Sequence, residues 1–188
     1  MQIFQSFTPE VVELLKNGAI GVIPTDTVYG LVTLLNNAGS IERIYQLKDR
    51  DVNKRIGTIL INDPVQIEHL TDPSTLLRAQ VYWPGPVSVV LPVPENLHYA
   101  HRGHDTLAFR LPHHPSLQNL LAAVGPLAST SANFAGYSPA ATIEEAMGYF
   151  REAVDFYVNG GDLSSNEPSK IIQFNPIGEV EIIRGDKR

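Results

Sequence analysis

Lys170-Ile171-Ile172-Gln173-Phe174 and Val180-Glu181-Ile182-Ile183 follow one another with no helical pattern between them, and Asp155-Phe156-Tyr157-Val158 precedes both. Short β-branched and aromatic runs bounded by turn residues read as strands. Working back toward the N-terminus, residues 19–23 form a short apolar run ended by Pro24, the form of a buried strand. Further strands are expected over 58–61, 87–91, 107–111 and 127–130. Helical patterns lie between many of them. Thr8-Pro9-Glu10 opens one, with Val11, Val12, Leu14 and Leu15 as its apolar stripe and Gly18 as a left-handed stop. Others are expected over 40–48, with Ile41, Ile44, Tyr45 and Leu47 inward, over 72–82 and over 115–123. Trp83-Pro84-Gly85-Pro86 breaks the third helix, and Thr142-x-x-Glu145 is a capping box that starts a helix reaching Phe150. Strands outnumber helices, and the last ones are consecutive. The class is therefore α/β, a twisted mixed sheet flanked by helices. No repeat, low-complexity segment or linker divides the chain, so residues 1–188 are expected to form one domain.

The chain has 188 residues, 43% hydrophobic and 18% charged, a globular balance that excludes disorder or a coiled coil as the main state. It has no cysteine, which excludes a disulfide scaffold, a thiol nucleophile and a cysteine zinc site. The net charge of −6 disfavours wholesale coating by nucleic acid. No apolar run approaches the roughly 18 residues of a membrane span. The N-terminus lacks the basic start and apolar stretch of a secretory signal. A cytoplasmic protein is expected.

Three segments carry chemistry. Arg43, Lys48, Arg50, Lys54 and Arg55 are 5 of 14 basic residues, packed into 13 positions of an acidic chain. Helix-end cations explain one or two of them. The rest continue through a loop into a strand, a common place for a small polyanion. Pro24-Thr25-Asp26-Thr27-Val28-Tyr29-Gly30-Leu31 runs a buried strand into hydroxyls, a carboxylate and a phenol, suited either to reading a small polar molecule or to an ordinary β-turn. Ser129-Thr130-Ser131-Ala132-Asn133 ends a short apolar strand with hydroxyls that suit phosphate or ribose, or a capping turn. His98, His101 and His104 recur every third residue, but Gly103, Pro92 and Pro94 point to a His-rich surface loop rather than a metal site. No G-x-S-x-G elbow supports a serine hydrolase.

These segments, taken in order, resemble the YrdC-like family of threonylcarbamoyl-adenylate synthases. The resemblance runs along nearly the whole chain. It comprises Pro24 to Leu31, Lys48-x-Arg50-x-x-x-Lys54, Trp83-Pro84-Gly85-Pro86, Thr106-x-x-x-Arg110-x-Pro112, Ser129 to Asn133, Pro168-Ser169 and Arg184. It implies a YrdC-like fold around a concave basic cavity, in the short, single-domain form. It implies that L-threonine, bicarbonate and ATP become threonylcarbamoyl-adenylate and pyrophosphate, for the threonylcarbamoyl modification of adenosine in tRNA. Arg50, Lys54, Thr106, Ser131 and Arg184 would bind ATP, with Lys48 beside them to stabilise charge. Thr27, Arg110, Ser129 and Ser169 would hold L-threonine. Mg²⁺ would accompany ATP, with no metal held by the protein itself and no organic cofactor. Proteins that transfer the threonylcarbamoyl group to tRNA would be downstream partners, and no membrane is implicated.

The sequence departs from the family pattern in places. Lys54-Arg55-Ile56 stands where Lys-Pro-Leu is usual, which makes Arg55 an additional candidate for phosphate. Pro168-Ser169-Lys170 replaces Pro-Ser-Thr, Phe134-Ala135-Gly136 replaces a Ser-Gly segment, and the strand over 58–61 has no histidine. One alternative is a YciO-like paralogue with a different nucleotide-dependent activity. Another is a double-stranded RNA or tRNA-binding module using the same basic surface, whose binding should fall steeply with salt.

Overall fold

A computed structural model describes residues 1–185. It contains ten strands in one mixed sheet. In chain order the elements are β1 (Gln2–Phe4), α1 (Pro9–Lys16), β2 (Gly21–Ile23), β3 (Gly30–Leu34), α2 (Ala38–Lys48), β4 (Thr58–Leu60), α3 (Pro73–Ala79), β5 (Val87–Pro92), α4 (His98–His101), β6 (Thr106–Arg110), α5 (Pro115–Val124), β7 (Leu127–Ser131), α6 (Ile143–Phe150), β8 (Phe156–Val158), β9 (Lys170–Phe174) and β10 (Val180–Arg184). Across the sheet the strands lie in the order β1-β8-β2-β3-β7-β4-β6-β5-β9-β10. No helix among the described residues is long and apolar enough to cross a membrane.

The helices start where the chain supplies a partner for their free N–H groups. Asp72 accepts from Ser74 and Thr75 at the head of α3, and Thr142 accepts from Glu145 at the head of α6. Glu145 reaches back to the Ala141 N–H at 2.8 Å, one residue beyond the N-cap N–H of a regular capping box. Thr8 stands at the head of α1 but its hydroxyl accepts nothing from the helix. Gly18 follows that helix at φ +82°, the left-handed conformation expected of it. Two strands, β1 and β3, were not expected from the sequence.

Paired residues in a sheet share a face. One face carries the row Val22, Leu31 and Thr130, and the row Ala128, Ile59, Phe109, Val89 and Ile172. Apart from Thr130 these belong to the main core, which the apolar stripes of α2 (Ile41, Ile44, Tyr45) and α6 (Ile143, Ala146, Phe150) cover. The opposite face is divided. Ile23, Val32, Leu60 and Leu127 join Val11 and Leu15 of α1 and Leu117, Leu120 and Leu121 of α5 in a second apolar cluster. On the same face, continuing along the same strands, stand Gly30, Ser129, Ser131, Thr58, Ala108 and Arg110. No helix covers that part, and the cavity lies there.

The histidine segment differs from expectation. Glu95–Leu97 is a 3₁₀ turn that leads into α4, and Arg102 at φ 53° and Gly103 at φ +82° end it. The proline at 94 sits just before this turn, where a fixed φ suits helix initiation rather than a loop. His101 is fully buried, not on the surface.

Candidate active site

The cavity encloses about 700 Å³ of space, part of it open to solvent. Its walls bring together Thr25, Thr27, Arg50, Thr58, Arg110, Ser129, Ser131, Ser169 and Arg184, from seven separate parts of the chain. Three arginines line it and no carboxylate does, among the described residues. That is the lining a polyanion requires.

Each wall has a local cause. The segment after β2 turns on Thr25, whose hydroxyl donates to the Val28 carbonyl at 2.7 Å and accepts from the Thr27 N–H at 3.1 Å. The Thr25 and Thr27 hydroxyls are 3.0 Å apart. Gly30 follows because a Cβ there would stand 2.8 Å from the Ser129 hydroxyl on the neighbouring strand. Gly57 is needed for the same kind of reason: its Cβ would meet the Ser129 carbonyl oxygen at 2.4 Å. Glycine thus lets the hydroxyl-bearing end of β7 lie between β3 and β4 without crowding.

Arg110 is almost completely buried, and Asp26 pairs with it at 3.0 Å while also accepting from the His113 N–H. Burial pushes the Arg110 guanidinium down from its ordinary value, Asp26 opposes this, and Arg184 adds repulsion. Arg110 Nε has no partner. A buried guanidinium with one side neutralised and an unpaired N–H is prepared for a carboxylate. Arg184 donates to the Ser169 carbonyl and hydroxyl at 2.9 and 3.1 Å, which fixes the loop before β9 against the last strand. Burial pushes its guanidinium down as well.

The basic segment is divided between roles. Asp49 at φ 48° ends α2 in the left-handed region and turns the chain outward. Tyr45 then donates to the Lys54 carbonyl at 2.6 Å, and Arg50 donates to the Arg55 carbonyl at 2.8 Å. Arg50 lines the cavity, and its Nε is buried without a partner. Lys54 is exposed and outside the lining. Arg55 bends to the Thr106 hydroxyl, so Thr106 is held by the loop and faces an adjoining groove instead of the main cavity.

Lys48 does not face the cavity. Its ammonium donates to the carbonyls of Ser131 and Asn133, and to Asn133 Oδ1 at 3.2 Å. Burial pushes it down to about 7, with Arg50 adding repulsion. The three oxygens act the other way, because a neutral amine has only two protons and would turn a lone pair on one of them. Geometry therefore favours the charged form. Lys48 shapes the turn after β7, and Ser131 in turn donates to Asn133 at 2.6 Å. The Asp26–Arg110 pair, the partners of Lys48 and the hydroxyls of Thr58 and Ser88 were missed by sequence reading. The alternation of small polar residues within apolar strands was the available signal.

The Sua5/YciO/YrdC family model, described as "Telomere recombination", matches residues 13–185. A protein from Hahella chejuensis named threonylcarbamoyl-AMP synthase is 36% identical over 173 residues, covering 88% of this chain and 92% of that one. One of the same name from Nitrosococcus oceani is 38% identical over 164 residues, covering 84% and 88%. Among solved structures, P. abyssi Sua5 complexed with L-threonine superposes with a TM-score of 0.82 at 24% identity, over 97% of this chain and 56% of that one. E. coli YciO superposes at 0.81 and 23% identity, over 97% and 93%. These two likenesses concern the fold. The matched span and the identities to the curated relatives decide the family: this chain belongs to the Sua5/YciO/YrdC family.

Proposed function

We propose that the chain is a threonylcarbamoyl-AMP synthase, which joins L-threonine, bicarbonate and ATP into threonylcarbamoyl-adenylate and pyrophosphate. The observation that carries this reading is a cavity lined by three arginines and a ring of hydroxyls, with no lining carboxylate among the described residues. The name carried by relatives aligned over most of the chain supports it.

The threonine amine adds to bicarbonate and water leaves, giving a carbamate. A carbamate oxygen bonds to the α-phosphorus of ATP, the bond from that phosphorus to the bridging oxygen breaks, and pyrophosphate departs. Such a transfer depends on positioning and charge neutralisation more than on a protein nucleophile. Arg110 takes the threonine carboxylate, and Thr27, Ser129 and Ser169 surround the amino acid. Arg50 and Arg184 neutralise the triphosphate, with Ser131 beside them. Thr106 and Lys54 meet it at the adjoining groove and the loop, provided Arg55 yields the Thr106 hydroxyl. Lys48 acts through the Ser131–Asn133 turn. Mg²⁺ would enter bound to the triphosphate, as part of that substrate, and neutralise charge there; among the described residues the lining offers it no carboxylate. The carbamate is fragile in water, so its shielding by the cavity wall on one side and by the bound ATP on the other matters. The product passes to proteins that transfer the threonylcarbamoyl group to tRNA.

Purified protein with ATP, bicarbonate and labelled threonine should release pyrophosphate only when threonine is present. Formation of ADP and orthophosphate, or pyrophosphate release indifferent to threonine, rejects the reading.

A further inference from the structure

Ser88 lies in β5, inside the apolar run Val87-Ser88-Val89-Val90-Leu91, and is fully buried. Its hydroxyl is 3.0 Å from that of Ser169 and 3.1 Å from that of Thr58. Thr58 belongs to β4, with β6 between the two strands. The hydroxyls meet across β6 because the residue paired with Thr58 there is Ala108, whose methyl leaves room. Thr58 and Ser169 both line the cavity, whereas Ser88 does not. A buried hydroxyl on an apolar strand costs stability unless its hydrogen bonds are made. Here the two ends of its chain open on the site.

The chain has three protons and two internal links, so one proton remains for the cavity. In one order Ser169 donates to Ser88 and Ser88 to Thr58. Ser169 then turns only lone pairs outward. In the other order Thr58 donates to Ser88 and Ser88 to Ser169. Ser169 already accepts from Arg184 at 3.1 Å, so both of its lone pairs are filled and its proton is free. An anionic oxygen beside Ser169 selects the second order, and successive donation strengthens the last bond.

We propose that Ser88 is a positioning residue that aims the Ser169 proton at the carboxylate of bound threonine. This rests on the reading that the cavity takes threonine. The test is calorimetric titration of the purified full chain with L-threonine, L-threoninamide and Mg-ATP. Ser88→Ala should weaken L-threonine about five- to tenfold, the worth of one net hydrogen bond. The same variant should bind Mg-ATP, and the amide that lacks the carboxylate, within about twofold of wild type. Ser88→Thr, which keeps the hydroxyl, should restore L-threonine binding to within about twofold. Unaltered L-threonine affinity in Ser88→Ala overturns the proposal. So does an equal loss for all three ligands, which would mean that Ser88 only supports the fold. A wild-type protein that takes no threonine at all refutes instead the reading on which the proposal rests.

Discussion

One face of the sheet is put to two uses, and the same strands serve both. β7 carries Leu127 in the apolar cluster, then Ser129 and Ser131 in the cavity wall. β4 carries Leu60 in the cluster and Thr58 in the wall, and β3 carries Val32 and then Gly30. In the apolar part, α1 and α5 supply the matching side chains. In the polar part no helix supplies a cover, and the surface is made of glycine, hydroxyls and arginine. The difference teaches that the site is not an addition on loops alone. It is the uncovered continuation of a packed sheet, so its hydroxyls inherit the rigidity of the core beside them.

This comparison predicts opposite outcomes for substitutions a few residues apart. The largest effect should come from Leu60→Ala, which deletes fully buried methyls and should cost about 2–5 kcal/mol of stability. Threonine-dependent turnover per folded molecule should stay near wild type. Thermal melts and kinetics on the same samples would check this, and a catalytic loss larger than the loss of folded protein would break the division. On the polar side the effect should be on ligands. Arg110→Lys keeps a charge but loses the fork, and should weaken threonine, serine and 2-aminobutyrate together, by about 1.5–3 kcal/mol each. Changes at Thr27 should instead alter their ranking, because that hydroxyl can meet the one on the threonine side chain. Competition among the three amino acids would show which residue reads the side chain.

Along the basic loop the effects should fall with exposure. Arg50→Ala removes a guanidinium of the cavity wall, and should weaken ATP by about 1.5–3 kcal/mol with little change in melting temperature. Lys54→Ala removes an exposed ammonium and should cost about 0.2–1 kcal/mol, less at higher salt. ATP titrations at two ionic strengths would separate them. Equal losses would mean that the loop closes over the ligand and buries both.

The sequence made most elements legible, because an apolar run in a sheet core keeps its pattern wherever it pairs. Lys170–Phe174 appears with the bounds expected of it. Gly30–Leu34 did not read as a strand, since Gly30 and Thr33 interrupt the apolar pattern and its place is set by non-local pairing with β7. The three-residue edge strand Gln2–Phe4 is too short to carry a pattern. The family motif marks Arg50, Arg110, Ser129, Ser131, Ser169 and Arg184, and one cavity brings them together. It did not reveal that Lys48 points inward to the Ser131–Asn133 turn, because a residue in the last turn of a helix can lie on either side of the strand it meets. Nor could it find Ser88, whose role depends on a small residue, Ala108, on the neighbouring strand and on a hydroxyl, Thr58, two strands away.

Ligands should occupy the polar part of this sheet face and leave its apolar part untouched. Amide hydrogen exchange with and without L-threonine plus Mg-ATP tests this directly. Exchange should slow over residues 25–30, 50–58, 129–133 and 168–171, with residues 9–16 and 115–124 unchanged. Protection concentrated at the latter two segments, where Phe7, Val12, Ser116 and Leu120 border a separate groove, would contradict it.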